Sequence, residues 1–494
     1  MKSLMSSPKR TVKSYFEEIT PFDLFYQLAH MSSIAAAGIS RSRVFALARQ
    51  LPAPTAHYFK SIHQVAENLR YTYPDAVQMI GMRVTQSKEV KTFLLRLSDA
   101  LRSGEPLPGF LARETNVQSD TYLNDYETKL ESLKKWSDAY TAVSVSASLI
   151  VVINMVMTMI YTVSPAMMAA MILVAISGAF GVGWIMFRTA PETLEVPLAL
   201  GCKEQRLARK LALIGLPAAA IVSIALFSAG VPPGWVVIVA GIIIAPVGIV
   251  AMQADSKVAQ KDLEISPFLR SLGGTATSRS TTLKEALFSM KIDSFPALRN
   301  DIQLLVLRLE SFINPALCWR SFATETGSKL AEQATGIFFE SVELGSDPEK
   351  TGGLTSMFAM RTAMLRAKRR GVAGTFTYLA MLMHVVMAGL MVFLLGVLEQ
   401  FSVRLNEALS TLGDSSSARN AMGLGTMFSF GAPQIEFLTI ITVGMIVLLA
   451  LINSFAIVAC EGAHLIKITS YAWILFIFSG LAILGGPSLA KLVM

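Results

Sequence analysis

Residues able to do chemistry are scattered along this chain. Its five histidines are His30, His57, His63, His384 and His464. His57 and His63 lie six apart with no thiol near them, so no pair has the spacing of a zinc site. Cys202, Cys318 and Cys460 are too far apart for a paired-cysteine metal site and too few for a disulfide framework. The Gly-Lys-Ser/Thr of a phosphate-binding loop is missing, as are His-Glu-x-x-His and Gly-x-Ser-x-Gly. The expectation is no catalytic, metal or cofactor-binding residue. The chain reads as not an enzyme, and any work it does draws energy from a separate protein.

Two other groups of polar residues stand out. His384, Asn154 and Asn453 sit inside long apolar runs, where an ionisable or amide group costs free energy unless it is paired. Interhelical hydrogen bonding is the plain reading, and an ion or proton path is the sharper one. The basic run Arg361–Arg370 holds Arg366, Lys368, Arg369 and Arg370. It serves either as a topology signal with anionic lipid contact, or as a docking surface for an acidic partner. Glu343, Asp347 and Lys350 lie just upstream, so both signs of charge are at hand.

The elements that must position these groups are helical and mostly apolar. The chain has 494 residues, is 53% hydrophobic and only 16% charged. Soluble domains are nearer a quarter charged, so this is an integral membrane protein. Crossing ~30 Å of hydrocarbon takes ~20 helical residues. About seven runs qualify, near 141–161, 165–187, 211–229, 235–252, 375–398, 435–458 and 471–489, the last of which could instead be re-entrant. Gly178, Gly181 and Gly183 in the second are expected to allow close helix packing. Lys and Arg collect before the first run, between the second and third, after the fourth and before the fifth. By the positive-inside rule both large polar segments face the cytoplasm, and the 401–433 loop and C-terminus face outward. The first 20 residues are polar with no apolar core, unlike a cleaved signal peptide. A net charge of +8 fits cytoplasmic flanks, and nucleic acid is not an expected partner.

The polar segments repeat each other. The first carries Ile39-Ser40-Arg41-Ser42 and, later, Arg102-Ser103-Gly104-Glu105-Pro106-Leu107. The second carries Thr277-Ser278-Arg279-Ser280 and then Lys350-Thr351-Gly352-Gly353-Leu354. Phe22 to Phe268, Ser40 to Ser278 and Gly104 to Gly352 are offset by 246, 238 and 248 residues. On this pairing Arg41 and Arg279 occupy matching turns. Phe22, Phe25, Leu28 and Ala29 form one stripe, and Gly38 ends that helix. A helix through 90–101 ends at Ser103-Gly104, a left-handed cap, and Glu105-Pro106 restarts the chain. Gly352-Gly353 is expected to break a later helix in the same way. Strand signals are poor. The fold expected is an all-α polytopic membrane protein with two duplicated cytoplasmic helical bundles plus about seven transmembrane helices. Its parts are a polar tail (1–20), module 1 (21–138), four spans in two hairpins (139–253), module 2 (254–372) and three spans with an external loop (373–494).

The opening helix with Phe22, Leu24, Phe25 and Leu28, the Gly-Ile-Ser turn and the late Arg-Ser-Gly-Glu-Pro-Leu resemble the type II secretion F domain. That domain defines the platform proteins of type II secretion systems, type IV pili, tight-adherence pili and the archaellum. Two span hairpins between the modules resemble the archaeal members more than the three-span bacterial ones. The resemblance implies a cytoplasmic-membrane platform protein that couples a hexameric secretion ATPase to the extraction of pilin-like subunits. It also implies a homo-oligomer, a dimer about the filament axis. Partner contacts are expected at Arg41, Arg102, Glu105 and Arg279, with Glu343, Asp347, Lys350 and the basic run. The second module has Gly-Gly-Leu where the first has Gly-Glu-Pro-Leu. Its acidic position is displaced to Asp347 or Glu349, which argues against a symmetric role for Glu105. The competing readings are a secondary transporter and a membrane-bound signalling scaffold.

Overall fold

The computed structural model describes residues 19–160, 165–191, 201–411 and 432–493. Most of the polar tail (residues 1–18), the 161–164 link and most of the external loop (412–431) lie outside the described residues. Among the described residues every regular element is helical. The helices are α1 (Pro21–Ala35), α2 (Arg41–Ala48), α3 (Ala56–Asn68), α4 (Tyr73–Arg83), α5 (Lys88–Arg102), α6 (Leu107–Ile160), α7 (Pro165–Thr189) and α8 (Lys203–Ser228). They continue with α9 (Pro233–Arg279), α10 (Leu283–Ser289), α11 (Arg299–Glu310), α12 (Pro315–Glu325), α13 (Lys329–Glu343), α14 (Pro348–Thr411), α15 (Ala432–Glu461) and α16 (Ile468–Val493). The chain forms two compact units: Met1–Glu127 with Gln260–Leu365, and Thr128–Ala259 with Arg366–Met494.

The first unit holds both polar repeats. Its helix starts follow from short polar side chains placed just before apolar runs. Thr20 caps α1 in a capping box with Asp23, and Pro21 supplies the first helical residue. Ser40, Thr72, Ser87, Thr282, Asn314 and Ser328 each accept a bond from a first-turn amide of the helix that follows. These caps set the register of the duplication. Ser40 and Thr282, Thr72 and Asn314, and Pro106 and Pro348 are each 242 residues apart. Left-handed residues obey the same rule: Gly38 (φ 70°) pairs with Ser280 (φ 49°), and Arg70 (φ 55°) with Phe312 (φ 56°).

The sequence-level offsets therefore need correction. Two of them, 246 and 238, miss 242 by four residues, close to one helical turn. Such a slip returns side chains to nearly the same face, so it preserves the pattern while shifting the pairing. Gly104 (φ 78°) corresponds to Gly345 (φ 97°), at an offset of 241, not to Gly352; Ser346 is an extra residue, after which Glu105 corresponds to Asp347 at 242. The acidic residue therefore keeps its place just before the proline that opens the next helix, one residue further from the glycine. Arg41 opens α2 while Arg279 closes α9, so the two arginines flank equivalent turns from opposite sides.

Gly352-Gly353 does not break a helix either, because α14 runs through both. A Cβ at Gly352 would lie 2.9 Å from the Leu269 carbonyl oxygen. One at Gly273 would clash with the Pro348 carbonyl oxygen. These glycines let α9 and α14 cross backbone to backbone. Nor does α1 bury a single stripe: every residue from Phe22 to Ala35 except Asp23 is buried, because α1 also packs on the second repeat. Phe25 stacks near Tyr122 and meets Phe358 at 5.1 Å between ring centroids. His30 Nε2 lies 3.0 Å from Glu340 of α13.

The second unit carries the apolar helices. Among the described residues, seven helices (α6–α9 and α14–α16, the last with the 3₁₀ turn before it) are long and apolar enough to cross a membrane. This is a multi-pass membrane protein. The seventh, Leu465–Ser488, has 24 residues, long enough for a full span. Gly230 (φ 76°) makes the turn between α8 and α9. Close packing is achieved by glycines other than those singled out above. Added Cβ atoms at Gly178 and Gly183 would meet only ordinary contacts, and at Gly181 nothing. Gly234, Gly241 and Gly248, seven residues apart on α9, face α16. Added Cβ atoms there would sit 3.0, 3.1 and 2.7 Å from the carbonyl oxygens of Gly480, Trp473 and Thr469.

Candidate functional site: the turn end of the duplicated unit

Hydrogen bonds draw the turns of the first repeat together. Ser42 of α2 donates to Glu67 of α3 at 2.9 Å, and Tyr73 Oη of α4 donates to the same carboxylate at 3.0 Å. Arg102, the last residue of α5, donates to Asp75 (3.2 Å) and Gln78 (2.7 Å) near the start of α4. Glu105 pairs with Arg113 in the first turns of α6. Arg41, Arg102 and Glu105 thus share one end of the bundle, with Arg41 and Arg102 exposed.

The second repeat is closed in the same way. Thr277 near the end of α9 donates to Asp347 Oδ1 at 3.0 Å, and Asp347 accepts the Glu349 amide at 3.0 Å, capping α14. Lys284 of α10 lies 4.5 Å from the centroid of the Phe312 ring. Arg279, Glu343 and Lys350 are exposed around these turns. The two ends adjoin. Ser346 donates to the Ser33 carbonyl at 3.0 Å in a buried bond, and Leu344 packs on the first repeat's core. The structure therefore brings seven of the expected contact residues to one duplicated turn end.

Electrostatics there are local. Hydrogen bonds from Ser42 and then Tyr73 hold the Glu67 carboxyl below the usual carboxylate range. Burial, reinforced by Arg49, pulls the His63 imidazole below its ordinary value, with Glu67 pulling the other way. His63 Nδ1 lies 3.1 Å from Tyr73 Oη. Sequence reasoning missed the Arg70 and Phe312 turns. A left-handed non-glycine residue costs on the order of 1–3 kcal/mol and collects at functional sites. The available signal was the Thr72 and Asn314 caps, which fix where each preceding turn must lie.

The basic run does not act as one surface. Arg361 donates to Ser119 Oγ (2.6 Å) and Asp120 Oδ1 (2.8 Å) within the first unit. Lys368 is exposed, and Arg366 and Arg370 are half-buried. Arg369 is 3% exposed. Its guanidinium donates to the carbonyls of Cys460 (2.9 Å), Ala459 (2.9 Å) and Pro191 (2.6 Å). It closes the C-terminus of α15, where the helix dipole favours a cation. Arg369 is therefore withdrawn from any docking surface; its place on a helix-terminal turn of carbonyls was invisible in the sequence.

Among its described residues the apolar unit contains a directed polar chain centred on His384. Tyr140 Oη donates to Asn453 Oδ1 at 2.6 Å, and Asn453 Nδ2 lies 3.1 Å from His384 Nδ1. His384 Nε2 lies 2.9 Å from Ser479 Oγ. The amide nitrogen can only donate, so Nδ1 accepts and Nε2 carries the proton: a neutral imidazole. Four helices (α6, α14, α15 and α16) are tied by this chain. Asn154 is buried apart from it, and its amide nitrogen has no hydrogen-bond partner among the described residues.

Comparison with known proteins bears on this architecture. Residues 28–155 match the family described as type II secretion system (T2SS), protein F. Two proteins named flagella accessory protein J are similar. That of Methanocaldococcus jannaschii is 26% identical over 312 residues, covering 60% of this chain and 54% of that protein. That of Methanococcus voltae is 23% identical over 413 residues, covering 79% and 71%. The chain thus spans about half the length of the first relative. No solved structure matches.

Proposed function

From the match of residues 28–155 to the type II secretion system F family, we propose that the chain is the non-catalytic membrane platform of a type IV pilus-like filament of the archaeal kind. In this reading a cytoplasmic secretion ATPase engages the turn end of the duplicated unit. The displacement passes to the membrane helices, and pilin-like subunits are drawn from the bilayer one at a time. The observation that carries the reading is the gathering of Arg41, Arg102, Arg279, Glu343 and Lys350 at the adjoining ends of two repeats. Three helices support transmission: α6, α9 and α14 have 54, 47 and 64 residues and each contains both polar-unit and apolar-unit residues without a break. A flexible linker at those points would dissipate the motion. The flagella accessory proteins J among its relatives support a filament of archaellum type. The positive-inside distribution supports a cytoplasmic polar unit, anionic lipid at its flanks and an outward C-terminus.

The test is genetic. Cells lacking the chain are expected to make no filament while pilin-like subunits accumulate in the membrane. The native chain restores filaments; one carrying Arg41→Glu with Arg102→Glu inserts normally and does not. Filaments of normal number and length in cells lacking the chain would overturn the platform reading.

A further inference from the structure

We propose that the two left-handed non-glycine turns, Leu69-Arg70-Tyr71 and Phe312-Ile313, are a duplicated docking element for a soluble protein oligomer presenting acid-rimmed apolar pockets. The proposal rests on the platform reading, in which that oligomer is the ATPase. Each turn displays apolar side chains that the fold leaves in solvent. Leu69 and Tyr71 are 61% and 46% exposed, and Phe312 and Ile313 are 90% and 44% exposed. Large exposed apolar groups gathered at a turn mark interaction sites. The backbone argues the same way, since Arg70 (φ 55°) and Phe312 (φ 56°) hold a conformation suited to glycine, yet neither is glycine.

The duplication says what the partner looks like. The turns are 242 residues apart in register but share no residue identity. What they share is chemistry: an apolar tip with a cation beside it. Arg70 supplies the cation in one, and Lys284, 4.5 Å from the Phe312 ring centroid, supplies it in the other. Apolar tips seat in pockets and cations select acidic rims. Two equivalent elements on one chain match a partner that repeats its own surface, as an oligomer does. A membrane, which presents one continuous charge, matches less well than a shaped protein site does, because each turn carries both signs: Glu67 and Asp75 flank the first and Glu310 the second, all exposed.

The experiment uses the full chain in phosphatidylcholine nanodiscs and the purified secretion ATPase of the same organism. Phe312→Gly relieves the left-handed strain while deleting the tip. We expect its Tm to equal or exceed that of the native chain while Kd rises about tenfold, with Phe312→Gly/Tyr71→Ser losing about a hundredfold. Unchanged Kd in both variants overturns the docking element and leaves the platform reading standing. No binding by the native chain overturns both. Two further outcomes also overturn it by naming another occupant. One is co-sedimentation with phosphatidylglycerol vesicles that Phe312→Gly abolishes; the other is a nanodisc-free particle mass that Phe312→Gly halves.

Discussion

Hydrogen bonding at single residues gives the account its sharpest tests. In the chain Tyr140–Asn453–His384–Ser479, Asn453 is satisfied on both sides. Tyr140→Phe removes one donor and is expected to cost about 0.5–1.5 kcal/mol. Asn453→Ala strands both neighbours in a buried site, so about 2 kcal/mol or more is expected, read by thermal unfolding in detergent. Equal effects of the two would mean the chain is not continuous. His63 makes a pH prediction. Its folded pKa lies below the ordinary value, so its contribution is present above about 6.5 and is lost as pH falls. Glu67 has the same sign and acts lower, below the ordinary carboxylate range. Tm should fall between pH 7.5 and 5.5 more steeply for the native chain than for His63→Gln. At this scale the sequence was half legible. His384 and Asn453 announced themselves by lying in apolar runs, whereas Arg369 looked like any member of a basic run. Only the backbone carbonyls gathered around it reveal its role, and those belong to residues 178 and about 90 positions away.

Helix types and counts were largely readable, because caps, left-handed glycines and apolar length act over a few residues. Thr20-Pro21, Ser103-Gly104 and the seven apolar runs all behave as their local chemistry requires. Helix crossings were not readable, since a glycine inside a helix has the same local signature whether it breaks, bends or admits a neighbour. Gly273 and Gly352 belong to the last kind. Gly273→Ala should therefore destabilise by about 1–3 kcal/mol through overpacking, and Gly353→Ala, with open space at its Cβ, should not. In the apolar unit Gly248→Val should be far more damaging than Gly181→Val, scored as folded protein recovered from membranes. A reversal would return close packing to α7 and remove it from the α9–α16 contact.

Both repeats belong to one body, and this governs how the whole molecule can be probed. Because α1 is buried against Phe358 and α13, a piece holding only residues 254–372 exposes the seam it normally shares with the first repeat. Such a piece should be less stable than a chain that retains both repeats, and docking measurements on it would mix unfolding with binding. The turn end that both repeats build is where the account locates contact with the motor. The most direct test is ATP turnover by the purified secretion ATPase on adding the full chain in nanodiscs, at low and moderate salt. Several-fold stimulation that salt weakens is expected, because charged rims are screened beyond about 10 Å at 0.1 M. Arg41→Glu with Arg102→Glu should abolish it while Arg361→Ala, whose partners are internal, leaves it intact. Turnover that is the same with and without the native chain, at every salt concentration, would contradict motor coupling through this surface.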